Sequence, residues 1–191
     1  MENNKEYKET EYGILIRELQ QEFHKIKMQF SKYQKKHSNE PIFNEYQKEI
    51  YDYITTDKKE ACLRIYRGNS YLTVHLAEGY QKEGKGVGLK HILLGHFGKT
   101  IENIDKRGNI TAKDILNIAN VIKKGRELTD AEIKENKNGE DKLIGFQLEK
   151  NFNLKKEDNE KTFLRVLLSK KENGRHIVTF FSTDDVEKVK L

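Results

Sequence analysis

Apolar side chains in the N-terminal part of the chain recur every three or four residues, with Glu, Gln and Lys between them. This spacing predicts a helix over residues 12–36. Pro41 ends that helix, because proline cannot continue a helix and disfavours the helical state just before it. A second helix is predicted over residues 43–53. We expect the two helices to serve in packing or oligomerisation, since neither carries a recognisable chemical motif.

From residue 61 the pattern changes to short β-prone segments. Two of them, residues 62–66 and 71–76, lie either side of a Gly-Asn turn and predict a hairpin or two nearby strands. A glycine-rich loop then leads into a predicted helix over residues 89–97. A further helix is predicted to begin after Thr111, which starts a near capping box, and to end at Gly125.

The C-terminal third is predicted to be mostly β-structure. Residues 126–142 are polar and predict a loop with some helical content. Three strands are predicted over residues 144–148, 162–169 and 176–182, the last two joined as a hairpin. Helices followed by an antiparallel sheet indicate the α+β class. We therefore predict two parts, a helical N-terminal extension over residues 1–60 and an α+β domain over residues 61–191.

Composition excludes several classes of protein. The chain has 191 residues, of which 35% are charged, and one cysteine, Cys62, which rules out an internal disulfide framework and a Cys-rich zinc site. No apolar run approaches the roughly 20 residues of a membrane span. The first residues are polar and lack the apolar segment of a signal peptide. We therefore expect a cytoplasmic protein without a membrane partner, unless it is delivered into a target cell as part of a larger toxin or phage particle.

The positive charge is concentrated in the middle of the chain. The net charge is +5, yet residues 61–125 alone carry 11 basic and 5 acidic side chains, a net charge of +6. The same third holds three of the six histidines: His75, His91 and His96. A localised positive field attracts phosphate groups and polyanions. This favours a nucleic-acid partner, with a merely solvated basic face as the alternative.

The glycine-rich segment Gly84-Lys85-Gly86-Val87-Gly88 resembles a phosphate cradle but lacks the Gly-Lys-Ser/Thr ending of a P-loop and the spacing of a dinucleotide fingerprint. We expect no nucleotide cofactor, and interpret the segment as a flexible loop that presents Lys85 and Lys90 to a substrate. The His91 and His96 pair is five residues apart on its helix, with no carboxylate beside it, so we expect no metal site.

Helical geometry places His91 away from the apolar stripe of its helix, beside Lys90. A neighbouring ammonium favours neutral imidazole, which suits a general base, although an ordinary exposed histidine has the same pattern. His96 faces inward and is more typical of a packing or capping residue.

The last two strands supply further candidates. Alternation places Ile177, Thr179 and Phe181 on one face, so the Thr179 hydroxyl is offered either to a cleft or to the sheet surface. Arg165 is the one charge in an apolar strand and lies on the solvated face or beside a buried anion, for which phosphate is the partner we expect.

Together these features resemble a known family. The glycine loop, Leu89-Lys90-His91-Ile92, the Thr-capped helix and the closing Ile177-Val178-Thr179-Phe180 are similar to the phage-associated barnase–EndoU–colicin–RelE-like endoribonuclease superfamily, in particular its barnase/colicin-type group from prophage and toxin proteins. The similarity covers residues 61–191. It implies a barnase-like domain that cleaves RNA, with tRNA as one candidate, and an acidic immunity or antitoxin protein as partner.

The resemblance implies metal-independent transesterification, in which the ribose 2′-hydroxyl attacks the adjacent phosphorus and leaves a 2′,3′-cyclic phosphate. The Lys-His pair of the family corresponds to Lys90 and His91, and its phosphate-contacting hydroxyl to Thr179 or Ser182. Its glutamate base has no clear counterpart, Glu149 being the one option. We therefore expect catalysis by His91, Lys90, Arg165, Thr179 and Ser182, and RNA binding by Lys85, Arg64, Arg67, Arg175 and His96.

Two other functions fit the same sequence. The chain could be a binding module without catalysis, whose basic middle third binds nucleic acid or an acidic protein. It could also be a phage structural protein that keeps the fold and has lost the activity.

Overall fold

The computed structural model describes residues 2–37, 41–83, 85–98, 110–133, 143–150 and 162–184. Two helices come first, α1 (Glu2–His37) and α2 (Glu45–Thr55), which confirms both predicted N-terminal helices. Leu19 and Phe23 of the α1 stripe are fully buried. A capping box starts α2: the Asn44 side chain accepts from the Gln47 backbone, and the Gln47 side chain accepts from the Asn44 N–H.

A six-stranded sheet follows, and it confirms the α+β class. The predicted hairpin is present as β1 (Glu60–Arg67) and β2 (Ser70–Ala77), which pair antiparallel from Glu60↔Ala77 to Arg67↔Ser70. The strand order is β1-β2-β8-β7-β6-β5. The remaining strands of this sheet are β5 (Arg126–Glu127), β6 (Leu143–Glu149), β7 (Thr162–Lys171) and β8 (Gly174–Asp184).

One pairing departs from the predicted antiparallel sheet. β8 runs parallel to β2 through Val74↔Arg175 and His75↔His176, and antiparallel to β7 along its whole length. The β2–β8 register is thus confined to the first residues of β8. β8 also contacts the helix α3 (Gly88–His96) and the small strand β4 (Lys85–Val87).

The glycine-rich segment is structured, contrary to the flexible loop that we predicted, although Gly84 lies outside the described residues. β4 pairs with β3 (Tyr80–Lys82), and α3 begins directly after it. Gly88 has a φ of 76°, and a Cβ there would lie 2.6 Å from the Ala77 carbonyl oxygen. The Lys90 N–H donates to the Glu78 carbonyl at 2.8 Å. Glycine is therefore required here so that α3 can start against the end of β2.

The predicted helix after Thr111 is divided in two, α4 (Ala112–Leu116) and α5 (Ile118–Lys124). The predicted capping box is present, because Thr111 accepts from the Asp114 N–H and Asp114 accepts from the Thr111 N–H. Asn117 interrupts the helix with φ −103° and ψ 12°, and its side chain donates to the Lys113 carbonyl. Such bonding competes with the helical backbone, which accounts for the break.

Among the described residues, one hydrophobic core joins the helices to one face of the sheet. Its members include Leu19 and Phe23 of α1 and Ile50 of α2, together with Leu63 of β1 and Phe180 of β8. The predicted boundary at residue 60 coincides with the start of β1, yet the preceding helices pack into the same core as the sheet. In the part of the chain that the structure describes, no helix is long and apolar enough to cross a membrane.

Candidate active site on helix α3 and strand β8

Both histidines of α3 are buried. His96 is 4% exposed, in agreement with its predicted inward orientation, and His91, which we predicted to point away from the apolar stripe, is also buried at 7% exposed. The reason is that α3 is enclosed on several sides, by α1, by β8 and by the β3–β4 hairpin. The side of the helix that lacks an apolar stripe is therefore also covered.

The His91 ring has a defined tautomer. Its Nδ1 lies 2.6 Å from Oε1 of Gln81 on β3. An amide oxygen can only accept, so the Nδ1–H of His91 donates this bond, and in the neutral ring Nε2 carries the lone pair. Gln81 was not identified from the sequence, because nothing in the spacing of β3 and α3 indicates that the two side chains meet.

His91 and His96 come together, although a five-residue spacing separates them around an ideal helix. Their ring centroids are 5.1 Å apart in an edge-to-face arrangement. His96 also packs on Phe181 of β8, with ring centroids 5.5 Å apart. This contact joins α3 to β8, an interior strand of the sheet, and the two imidazoles lie side by side there.

A β-bulge determines which hydroxyl of β8 lies on the same face of the sheet as Phe181, the residue that contacts His96. Leu167 pairs with Thr179 but Leu168 pairs with Ile177, so one additional residue, Val178, interrupts the register. Ile177 and Thr179 consequently lie on opposite faces, contrary to the regular alternation that we predicted.

Beyond the bulge, Thr179 and Phe181 share the face opposite Phe180 and Ser182. The Thr179 hydroxyl is buried and has no hydrogen-bond partner among the described residues. Because Phe181 contacts His96, the geometry favours Thr179 over Ser182 as the hydroxyl nearest the histidines.

Arg165 lies on the same face as Phe181, its register partner on β8. Its Nε donates to Oε1 of Gln147 at 2.6 Å, and burial lowers the pKa of the guanidinium. The guanidinium stays charged, because arginine does not lose its proton in proteins. We name the two histidines, Phe181 and the two polar residues on the same face of the sheet the histidine cluster: His91, His96, Arg165, Thr179 and Phe181.

Lys90 is buried, contrary to the expectation that the glycine-rich segment presents it to a substrate. It is 8% exposed, and its Nζ lies 5.2 Å from the centre of the Tyr12 ring of α1. Lys85, in contrast, is exposed on β4. Glu149, the one candidate for a glutamate base, is exposed near the end of β6.

The arginines predicted to bind RNA occupy different places. Arg67 donates to the Ile122 and Lys123 carbonyls at the end of α5, at 2.8 and 3.1 Å, and lies 4.6 Å from the Phe146 ring. It therefore has a structural role, and its role in RNA binding stays a prediction. Arg175 is partly buried where β8 meets β2. Arg64 is exposed on β1, with its guanidinium 4.4 Å from the Tyr71 ring.

Comparison with protein-family models, curated proteins and solved structures found no match for this chain. The function is accordingly argued from the geometry and chemistry of the histidine cluster and of the exposed surface.

Proposed function

We propose that the chain is a metal-independent endoribonuclease that uses the ribose 2′-hydroxyl as nucleophile. The observation that carries the proposal is the pair of imidazoles, His91 and His96, whose centroids are 5.1 Å apart. Two histidines at this separation can divide one reaction between a proton acceptor and a proton donor. The sequence resemblance and the +6 charge of residues 61–125 support the same substrate class.

In the proposed reaction, His91 Nε2 removes the proton of the 2′-hydroxyl. The 2′ oxygen attacks the adjacent phosphorus, the bond from phosphorus to the 5′ oxygen breaks, and His96 in its protonated form gives a proton to that oxygen. The products are a 2′,3′-cyclic phosphate and a free 5′-hydroxyl. Gln81 supports His91 as base, because a bond from Nδ1–H to an amide oxygen leaves the lone pair on Nε2.

Arg165 and Thr179 are proposed to stabilise the phosphoryl oxygens. Both lie on the face of the sheet that carries Phe181, the residue in contact with His96. A cation and a hydroxyl aimed at developing negative charge act more strongly in a buried site than in water. Lys90 has no such role in this proposal, because its ammonium lies over Tyr12.

Burial sets a condition on the reaction. Both histidines are less than a tenth exposed, so a scissile phosphate can reach them only if the segments packed around α3 move apart. The same burial favours a second candidate function, a nucleic-acid-binding module without catalysis, in which the histidine cluster is part of the core.

The two functions are separated by incubating the protein with total tRNA in EDTA and analysing the fragment ends. We expect cleavage with 2′,3′-cyclic phosphate ends, reduced by about 10²- to 10⁴-fold in His91→Ala and in His96→Ala, the usual contribution of one acid or base group. His176→Ala is the matched control, since His176 stacks on His75 elsewhere in the sheet. RNA binding without cleavage supports the module, and cleavage unaffected by both α3 substitutions contradicts the proposal.

A further inference from the structure

Two tyrosines and an arginine share the outward face of the β1–β2 hairpin. On β1, the buried Leu63 and Ile65 alternate with the exposed Arg64 and Tyr66. Tyr71 of β2 is the register partner of Tyr66 and lies on the same face. Tyr66 is 47% exposed and Tyr71 is 58% exposed, which is high for aromatic rings in a sheet.

These three side chains contact one another. The Tyr66 and Tyr71 ring centroids are 5.2 Å apart with an interplanar angle of 59°, and the Arg64 guanidinium carbon lies 4.4 Å from the Tyr71 centroid. The cation–π contact and the strand pairing hold the rings in place before any ligand binds. We name Arg64, Tyr66 and Tyr71 the stacking platform.

The charge of the hairpin itself favours a polyanion, although Glu45 of α2 lies nearby, hydrogen-bonded with the Tyr46 hydroxyl beside the Tyr66 backbone. Glu60 is the acidic residue of β1, at the opposite end of the strand, and its carboxylate lies 3.1 Å from Nδ1 of His75. The platform also belongs to the +6 part of the chain. Exposed aromatic rings combined with a guanidinium are the features by which proteins bind unpaired bases and the backbone that joins them.

We propose that the stacking platform binds single-stranded RNA, with bases stacking on the tyrosine rings and Arg64 contacting a phosphate. The choice of RNA over DNA rests on the proposed function, whereas the preference for a single strand follows from the exposed rings. Bases within a duplex are already stacked on each other and cannot reach the platform. The platform would thus be a binding site on the hairpin, built from residues other than those of the histidine cluster.

The test measures the affinity of the protein for a fluorescent oligouridine of about ten nucleotides, within the usual site sizes of such surfaces. The Tyr66→Leu/Tyr71→Leu double variant keeps apolar side chains in the strands and removes both rings. We expect it to bind at least about tenfold more weakly, because both rings on which bases stack are lost. The Tyr66→Phe/Tyr71→Phe variant keeps both rings and should bind like the native chain. Thermal unfolding of both double variants, with midpoints close to that of the native chain, shows that the hairpin is intact.

Tyr33→Leu is the matched control, because Tyr33 is 68% exposed on α1 and lies outside the platform. Unchanged affinity of the double leucine variant, or an equal loss in Tyr33→Leu, overturns the proposal. An equal loss of affinity for a duplex of mixed sequence also overturns it. If the double leucine variant loses as much affinity for oligodeoxythymidine as for oligouridine, the preference for RNA is overturned. The platform is then a site for single strands of either kind.

Arg64→Ala provides a second measurement. Removing one phosphate contact should lower the slope of log affinity against log salt by about 0.7, whereas Arg17→Ala on α1 should not change it. Failure of this proposal is distinguishable from failure of the endoribonuclease. Normal oligouridine binding by the double leucine variant overturns the platform whether or not the native chain cuts RNA, whereas a native chain that binds oligouridine and cuts no RNA overturns the endoribonuclease alone.

Discussion

Thr179 is the residue at which stability and the proposed chemistry oppose each other. Its hydroxyl is buried without a hydrogen-bond partner among the described residues, at a position next to the β8 bulge. An unsatisfied buried polar group costs about 1–3 kcal/mol. Such a cost is typical of groups retained for a purpose other than folding, and stabilising charge on a phosphate is the purpose proposed here.

We therefore predict that Thr179→Val has opposite effects on stability and activity. Valine has nearly the same shape and no hydroxyl, so the free energy of unfolding should stay equal or rise by about 1 kcal/mol. Cleavage of tRNA should fall by about a hundredfold if the hydroxyl contacts the scissile phosphate. Denaturant unfolding and the cleavage assay measure the two effects, and full activity in a stable Thr179→Val protein would remove Thr179 from the mechanism.

The orientation of a side chain could be predicted only where the apolar pattern of its own helix or strand determines it. His96 was correctly placed facing inward, because it belongs to the apolar stripe of α3. His91 was placed on the side away from the apolar stripe and is nevertheless buried, because a stripe indicates one packed side and α3 is packed on several. Gln81 and Tyr71 were missed, since their roles depend on the partners His91 and Tyr66, which the sequence does not bring together by any local pattern.

Among the elements, the stretch from Arg126 to Ile133 shows how a polar sequence can be ordered. It was predicted to belong to a loop with some helical content, and it contains the short strand β5 followed by a turn. Arg126 donates from both Nη1 and Nη2 to the Glu132 carboxylate, at 2.9 and 2.7 Å. Glu132 also accepts from the backbone N–H and the hydroxyl of Thr129. These bonds lower the pKa of Glu132 to about 2, with the Arg126 side chain as the main cause.

This carboxylate predicts a pH dependence of stability. Since the folded pKa is below the ordinary value of 4.5, Glu132 stabilises the fold above that pH and loses its contribution as the pH falls toward 2. Glu132→Gln should lower the midpoint of thermal unfolding at pH 7, and the difference from the native chain should vanish near the lower pH. Arg126→Gln should lower the midpoint of thermal unfolding at pH 7 by a similar amount. A difference in midpoint between Glu132→Gln and the native chain that stays constant down to about pH 2 contradicts the proposed role of the Glu132 carboxylate.

Helices and strands were well predicted where the signal was local. The α1 stripe, the β1–β2 hairpin and the Thr111 capping box all appear at or close to their predicted positions. The break at Asn117 and the bulge at Val178 were not predicted, because each depends on one residue departing from a pattern that its neighbours continue.

At the scale of the whole molecule, the sheet curls far enough for a side chain of β1 to contact a side chain of β6. β1 and β6 are separated in the sheet by β2, β8 and β7, yet Arg67 of β1 lies 4.6 Å from the Phe146 ring of β6. The same guanidinium bonds to carbonyls at the end of α5 and so ties three elements together. Neither this closure nor the parallel β2–β8 pairing was predictable, because both join residues that are far apart in the sequence.

The fold places the two candidate sites in different surroundings. The stacking platform is exposed on the outer hairpin, whereas the histidine cluster is buried where α3 meets β8. A basic middle third alone predicted one phosphate-binding region. The structure divides its candidates among a buried pair of histidines, an exposed aromatic surface and a structural arginine.

The central claim is that the chain cleaves RNA through the 2′-hydroxyl, and its most direct test compares two substrates in EDTA. One is a single-stranded RNA that the protein cuts, and the other has the same sequence with one 2′-deoxynucleotide on the 5′ side of the cut. We predict that the RNA yields a 2′,3′-cyclic phosphate and a 5′-hydroxyl, and that the substituted strand stays intact at that bond. Cleavage of the substituted bond, or no cleavage of any RNA, would contradict the account.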